Sequence, residues 1–198
     1  MIELYLVRHG ETDLNVQKVY YGWTDCCMNS KGYEQAKELA DILGEVDFDV
    51  VISSSLQRAV ETATIISGFS ADTIIKDDRL KELNFGDWEG VYYLEVQEKY
   101  REHWEKWGKD WKNASPPSGE SYRELRRRVE ECLKEILERY DGKKVLVVSH
   151  QGCLRIIPSI LLGMSDDGYW NFTAEQGRYS LVEIENGHCT VKRLNSGR

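Results

Sequence analysis

Residues 2–10, with the sequence IELYLVRHG, give the first indication of the fold of this chain. The first six alternate in polarity and favour extended backbone, so they predict a strand. Arg8 and His9 follow it, and in open α/β sheets ligands bind outside the carboxyl ends of the strands. A guanidinium is a planar fork that suits phosphate, and an imidazole can act as a nucleophile. Gly10 is expected to let the backbone approach a bound group closely.

The composition is that of a globular protein. With 198 residues, 41% hydrophobic and 30% charged, the chain suits one domain with a substantial core. It has no run of about 18 apolar residues and no leader pattern, so we expect no membrane partner and a cytoplasmic location. A net charge of −8 and a pI near 5.1 argue against a nucleic-acid partner. The aromatic content is compatible with a homodimer without requiring one.

The cysteines indicate a reducing compartment. Their number is odd, and no C-x-x-C pair is present. We therefore predict free thiols and no zinc site. The five are Cys26, Cys27, Cys132, Cys153 and Cys189.

Apolar runs alternate with amphipathic stretches, which predicts a mostly parallel sheet with helices on both faces, a three-layer α/β/α sandwich. The last two runs surround Asn186 and Gly187, a hairpin signal that gives the sheet an antiparallel edge strand. The predicted strands are 2–7, 48–53, 73–76, 144–149, 179–184 and 188–194. The predicted helices are 30–43, 54–67 with Ser54 or Ser55 as its cap, 121–140 with a capping box at 121–124, and 152–162.

Residues 92–112 are polar, helical in pattern and unusually rich in tyrosine and tryptophan. We interpret residues 90–120 as a helical insertion over one end of the sheet, within a single domain that spans 1–198. The aromatic side chains fit either the core of that insertion or a platform on which a ligand stacks. They are Tyr92, Tyr93, Tyr100, Trp104, Trp107 and Trp111.

Two further strand ends carry charged side chains. Arg58 lies in the first turn of the helix after the second strand, near the positive end of the helix dipole. His150 ends a buried strand and Gly152 opens the next helix, which places an imidazole beside free backbone N–H groups. Together with Arg8 and His9 these residues predict a pocket for a dianion, in which one histidine attacks phosphorus while the other groups neutralise its oxygens.

A proton donor for the leaving oxygen is expected in the loop 80–90, LKELNFGDWEG. We assign this role to Glu82, which would later activate water as a base. Asp87 and Glu89 are close enough in sequence to compete for it. The three consecutive arginines 126–128 are interpreted as a solvated helix face.

Four segments resemble the motifs of the histidine phosphatase superfamily, in its phosphoglycerate-mutase-like branch. They are RHGET (8–12), SSLQRA (54–59), Glu82 with FGDWEG (85–90), and SHQG (149–152), in the family's order and spacing. The resemblance covers nearly the whole chain. It implies a phosphoglycerate-mutase-like fold, a phosphohistidine intermediate, and no metal or organic cofactor.

The resemblance also implies a role for each residue of the site. His9 would be the nucleophile and Glu82 the proton donor. Arg8, Arg58 and His150 would hold the phosphoryl group. The substrate-binding residues would be Asn15, Thr12, Gly22, Gln151 and Gly152.

The implied substrate is a small phosphate monoester. Mutases of this family carry an arginine after the acidic residue, whereas Leu83 follows Glu82 here, which favours a phosphatase. Aromatic rings suit a flat leaving group, because stacking stabilises by ~1–3 kcal/mol per base. The segments 117–120, 170–172 and 194–196 resemble α-ribazole phosphatases, which implies α-ribazole 5′-phosphate and cobalamin nucleotide-loop assembly. The alternatives are a phosphoglycerate mutase, a broad-specificity sugar-phosphate phosphatase, and a phosphate-binding regulator without turnover.

Overall fold

The computed structural model describes residues 1–197, so Arg198, the last residue of the expected domain, lies outside the described residues. The strands are β1 Ile2–Arg8, β2 Val50–Ser53, β3 Ile75–Lys76, β4 Lys144–Ser149, β5 Tyr179–Glu185 and β6 His188–Ser196. The helices are α1 Asp13–Val16, α2 Ser30–Leu43, α3 Gln57–Ser67, α4 Tyr93–Lys99, α5 Arg101–Lys109, α6 Tyr122–Arg139 and α7 Gln151–Leu161. Short 3₁₀ helices cover Asp78–Leu80, Gly86–Trp88 and Asp166–Asn171.

The strands within residues 1–197 form one sheet in the order β3-β2-β4-β1-β5-β6. The first four in that order are parallel, whereas β5 is antiparallel to β1 and β6 is antiparallel to β5. This arrangement confirms the predicted mostly parallel sheet with an antiparallel edge. The terminal hairpin turns at Asn186 and Gly187, both with positive φ, as the sequence predicts.

The sheet is covered on both faces because its central strands are apolar on both sides. Leu4 and Leu6 of β1 pack against the buried faces of α6 and α7. Tyr5 and Val7 of the same strand point to the other face and pack against α2 and α3. The three predicted layers are therefore present, and the core is divided between the two faces of the sheet.

The register of β1 and β4 brings two distant parts of the chain together. Arg8 lies opposite Ser149 in the parallel pair. The backbone N–H of His9 donates to the carbonyl oxygen of Ser149 at 3.0 Å. His9 and His150 therefore leave the sheet side by side, although 141 positions separate them in the sequence (150 − 9).

The helix after β2 begins later than predicted. Its N-cap is Leu56, which makes no side-chain capping bond, so the prediction that Ser54 or Ser55 caps it is wrong. The hydroxyl of Ser54 instead lies 2.9 Å from Nε2 of His150. A buried imidazole nitrogen needs a hydrogen-bond partner, and Ser54, whose hydroxyl also accepts from the backbone N–H of Leu56 at 3.4 Å, supplies it.

Helices α4 and α5 lie in the segment that the sequence marks as an insertion. Trp88 is fully buried beneath them, and its ring centroid is 5.9 Å from Trp104 and 5.5 Å from Trp107. Tyr20, from the loop after α1, contributes a further ring 5.7 Å from Trp88. Among the helices of residues 1–197, none combines the length and the apolar character that a membrane span requires.

Candidate active site

Two histidines lie in contact at the carboxyl ends of β1 and β4. The ring centroids of His9 and His150 are 5.0 Å apart, and both residues are buried. Burial holds the pKa of each imidazole well below its ordinary value, and the charges of Arg8 and Arg58 lower both further. Both rings are therefore neutral near pH 7, the state in which a ring nitrogen carries a lone pair.

The hydrogen bond of His9 fixes which nitrogen carries that lone pair. Its Nδ1 lies 2.8 Å from the carbonyl oxygen of Gly10. A carbonyl oxygen only accepts, so Nδ1 is the protonated nitrogen and donates. The lone pair of the neutral ring is consequently on Nε2, which is free to act as a nucleophile.

Two guanidinium groups lie beside the histidines. Arg58, fully buried in α3, donates to the carbonyl oxygens of Gly22 at 2.7 Å and Thr24 at 2.9 Å. Arg8 donates to the carbonyl oxygen of Ala174 at 3.0 Å. The Nε atoms of both arginines are buried and have no hydrogen-bond partner within residues 1–197. Buried donors are normally paired, so these two are suited to an anionic ligand.

Glu89 holds the loop that orients Arg58. Its carboxylate accepts hydrogen bonds from the backbone N–H groups of Gly22, Trp23, Thr24 and Phe85, at 2.8 to 3.1 Å. With its oxygens occupied in this way, Glu89 has a structural role and does not compete as a proton donor. Glu89 lies in the segment 85–90 that resembles the family, but no pattern in the sequence predicts that its carboxylate binds these backbone N–H groups.

Glu82 lies at the N-terminus of α7, next to His150. Its carboxylate accepts hydrogen bonds from the backbone N–H groups of Leu83 at 2.9 Å and Gly152 at 3.1 Å. A Cβ at position 152 would lie 2.3 Å from Oε1 of Glu82, so any larger residue there would require the carboxylate to move. The rival carboxylate of Asp87 is exposed. Of the three acidic side chains, Glu82 is the one that the fold brings to the histidines.

Four predicted substrate-binding residues surround this centre. Thr12 and Asn15 cap α1 by a reciprocal pair of hydrogen bonds. Gly22 lies against a carbonyl oxygen, since a Cβ there would lie 1.7 Å from the oxygen of Leu83. Gln151 lines the cavity described below. Their contacts explain the residue types, and their roles toward a substrate stay predictions.

Gly10 packs closely against the first turn of α2. A Cβ on this residue would lie 2.5 Å from the carbonyl oxygen of Gly32 and 2.6 Å from Sδ of Met28. This contact is one reason for a glycine at position 10, and the expected close approach to a bound group stays a prediction. Sequence spacing alone does not show this contact.

A cavity of about 510 Å³ opens beside Glu82. Trp104 and Trp107 line it while they also pack on Trp88, which makes them part of the core of the insertion. Their use as a platform on which a ligand stacks stays a prediction. Arg155, one helical turn after Gln151 on α7, lies 5.3 Å from the ring of Tyr169, and its Nε is buried without a partner among residues 1–197. The aromatic lining residues are Phe85, Trp104, Trp107, Trp111, Tyr122, Tyr169 and Trp170.

The arginines 126–128 do not form a solvated face, which corrects the interpretation from the sequence. Arg127 is exposed, whereas Arg126 lies 3.4 Å from a carboxylate oxygen of Asp166. Arg128 forms a partly buried ion pair with Glu120. It follows Leu125 by three positions and so borders the buried stripe of α6, which is the signal that identifies it.

All five cysteines are free thiols. Within residues 1–197 the fold gathers no group of three or more histidine, cysteine, aspartate or glutamate side chains that could hold a metal ion.

Comparison with known proteins agrees with this geometry. The model of the histidine phosphatase superfamily (branch 1) matches residues 4–197. An adenosylcobalamin/alpha-ribazole phosphatase of Salmonella typhimurium is 38% identical, with 98% of this chain and 96% of the relative covered. Phosphoserine phosphatase 1 of Hydrogenobacter thermophilus is 34% identical, with 98% and 92% covered.

A solved structure shows the same fold. The alpha-ribazole phosphatase from Shigella flexneri superposes with a TM-score of 0.93 at 34% identity, and the match covers 98% of this chain and 96% of that one. The family match and these full-length similarities together identify the chain. It belongs to the histidine phosphatase superfamily, and it is a phosphatase.

Proposed function

We propose that this phosphatase hydrolyses phosphate monoesters through a phosphohistidine formed on His9. The observation that carries the proposal is the hydrogen bond from Nδ1 to the carbonyl oxygen of Gly10, at 2.8 Å. It leaves the lone pair of a neutral imidazole on Nε2, the atom that would attack phosphorus. The low pKa of His9, caused mainly by burial, supports the same state.

The phosphoryl group would be held by Arg8, Arg58 and His150. The two arginines supply the unpartnered Nε donors, and their positive charges offset the charge on the phosphate oxygens. His150 is the N-cap residue of α7, so the positive end of that helix dipole adds to the field. Phosphoryl transfer depends mainly on such positioning and charge stabilisation.

Glu82 would complete the reaction in two steps. In the first, Nε2 of His9 bonds to phosphorus, the bond from phosphorus to the ester oxygen breaks, and Glu82 gives its proton to the departing oxygen. In the second, the Glu82 carboxylate takes a proton from water, the water oxygen bonds to phosphorus, and the bond to nitrogen breaks. Inorganic phosphate leaves, and His9 and Glu82 return to their starting states.

We propose α-ribazole 5′-phosphate as the substrate, in cobalamin nucleotide-loop assembly. The aromatic cavity begins at Glu82, where the leaving alcohol would lie, and its rings match a flat benzimidazole base. Relatives with 34–38% identity over the full length carry the name alpha-ribazole phosphatase, which supports the choice.

A second candidate is a carboxylate-bearing ester such as phosphoserine. Arg155 favours it, because its guanidinium lines the cavity and forms no ion pair among residues 1–197. A free guanidinium fork suits a carboxylate. The similarity to a phosphoserine phosphatase agrees with this alternative.

The substrate is tested by comparing kcat/KM for α-ribazole 5′-phosphate, L-phosphoserine, ribose 5-phosphate and 3-phosphoglycerate. We expect the first to exceed the others by about 10- to 100-fold, because base stacking stabilises by ~1–3 kcal/mol. Ribose 5-phosphate is the matched control, since it lacks only the base. A higher kcat/KM for L-phosphoserine would favour the second candidate, and equal values for all four esters would favour broad specificity. With 3-phosphoglycerate, formation of 2-phosphoglycerate faster than free phosphate would favour a mutase.

Gly152→Ala is expected to lower kcat/KM for alkyl phosphates, which reports phosphoenzyme formation, by about 100-fold, the usual cost of misplacing a catalytic group by about 1 Å. The new methyl would lie 2.3 Å from Oε1 of Glu82 and displace the carboxylate. Steady-state kinetics with an alkyl phosphate and with p-nitrophenyl phosphate measure the effect. The second ester needs little proton donation, so it serves as the internal control. Similar losses on both esters would mean that the methyl disturbs phosphate binding instead.

A further inference from the structure

The loop that carries Glu82 is held by side chains rather than by a helix or strand. Between the short helices Asp78–Leu80 and Gly86–Trp88, residues 81–85 form no regular secondary structure. The carbonyl oxygen of Leu80 accepts from the hydroxyl of Ser149 at 2.7 Å. The position of the Glu82 carboxylate therefore depends on hydrogen bonds from distant side chains.

Arg128 supplies most of these hydrogen bonds. Its guanidinium donates to the carbonyl oxygens of Arg79 at 2.8 Å, Lys81 at 2.6 Å and Glu82 at 2.8 Å. The side chain is largely buried, with 15% of its surface exposed. Three carbonyl oxygens within residues 79–82 thus accept from a single planar guanidinium, an arrangement that a lysine ammonium on its flexible stem does not reproduce.

Glu120 fixes Arg128 and the far side of the same loop. Its carboxylate accepts from Nε of Arg128 at 3.1 Å and also pairs with Nη2. The same carboxylate accepts from the backbone N–H of Asn84 at 2.9 Å, and the backbone N–H of Glu120 donates to the carbonyl oxygen of Asn84 at 3.0 Å. The pair therefore contacts the chain on both sides of Glu82.

We propose that Arg128 and Glu120 are positioning residues that hold the Glu82 carboxylate where it delivers its proton to the leaving oxygen. This inference rests on the proposed role of Glu82 as the proton donor. Neither residue contacts the phosphoryl group in this scheme, because their side chains form hydrogen bonds with the loop backbone and with each other. A shift of the loop by about 1 Å would then slow the proton-dependent step and leave phosphate binding intact.

The test is Arg128→Met, assayed on phosphate monoesters from p-nitrophenyl phosphate to alkyl phosphates. We expect kcat/KM, which reports phosphoenzyme formation, to fall by about 30-fold or more for alkyl phosphates, within the ~100-fold range for a misplaced catalytic group, while kcat/KM for p-nitrophenyl phosphate falls less than about 3-fold. The slope of log(kcat/KM) against leaving-group pKa steepens accordingly. The inhibition constant of inorganic phosphate stays unchanged, which a general loss of structure would not allow.

Arg127→Met is the matched control, since it removes an exposed arginine next in sequence and should leave the slope unchanged. Glu120→Gln is the milder second variant, because it removes the charge but keeps an oxygen that accepts from the backbone N–H of Asn84. It should steepen the slope in the same direction, and it keeps the proposal testable even if Arg128→Met folds poorly. Equal slowing of all esters, or no slowing, in both variants overturns the proposal.

The Glu82→Gln variant distinguishes failure of this proposal from failure of the proposed function. If Glu82→Gln shows no dependence of rate on the leaving group, the assignment of Glu82 as proton donor fails. If Glu82→Gln shows that dependence and the Arg128 and Glu120 variants do not, only the positioning role fails.

Discussion

The His9→Ala variant should lose turnover of every phosphate ester by at least about 10⁴-fold, because removal of a nucleophile eliminates the covalent route. The Nε2 lone pair is oriented by the hydrogen bond from Nδ1 to Gly10, whereas Nε2 of the neighbouring His150 lies 2.9 Å from the hydroxyl of Ser54. The measurement is kcat on p-nitrophenyl phosphate together with acid-quenched trapping of radiolabelled phosphate. The wild type should retain label on the protein, and the variant should retain none.

The control for this experiment is His103→Ala. His103 is exposed on α5, so its removal should leave both turnover and labelling as in the wild type. Binding of inorganic phosphate to the His9→Ala protein should persist, since Arg8 and Arg58 remain. Full activity in His9→Ala, or label trapped elsewhere, would contradict the phosphohistidine proposal.

The Glu82→Gln variant is expected to slow alkyl phosphates by about 10²–10⁴-fold, the range for loss of a general acid. Glutamine has the same shape and retains an oxygen that accepts from the backbone N–H of Leu83 or Gly152, so the loop should keep its conformation. An activated ester such as p-nitrophenyl phosphate should slow far less, because its leaving oxygen departs without a proton. Single-turnover rates of phosphoenzyme formation on both esters measure the contrast.

Asp87→Asn is the matched carboxylate control. Asp87 lies five positions further along the same segment and is exposed, so its neutralisation should change neither rate. Equal slowing of both esters by Glu82→Gln would mean that the residue does not donate the proton. A selective effect of Asp87→Asn on alkyl esters would move the role to that residue.

The elements that the sequence predicts well are those with a local cause. The period-two alternation of residues 2–7 predicts β1, and the hairpin signal at Asn186 and Gly187 predicts the edge of the sheet. The capping box at Ser121 and Glu124 predicts where α6 begins. Each of these patterns acts over a few residues, so it can be evaluated without knowledge of the rest of the chain.

The elements that it predicts poorly depend on contacts across the fold. In the sequence, Ser54 resembles a helix cap. In the structure, the pairing of β2 and β4 brings His150 beside it, and the hydroxyl of Ser54 forms a hydrogen bond with that imidazole. Arg128 is indistinguishable from Arg127 until the loop of Glu82 lies against α6. Glu89 and Arg155 acquire their contacts in the same way, from segments more than ten residues distant.

The residue types at the strand ends, Arg8 and His9 with Arg58 and His150, predict the charges around a phosphate from the sequence alone. The family is implied by resemblance, through the four segments 8–12, 54–59, 82–90 and 149–152 in their order and spacing. Tertiary structure alone decided which nitrogen of His9 is free, which of three carboxylates reaches the site, and what holds it there. The physical reason is that hydrogen bonds and burial act through distances of about 3 Å in space, whatever the separation along the chain.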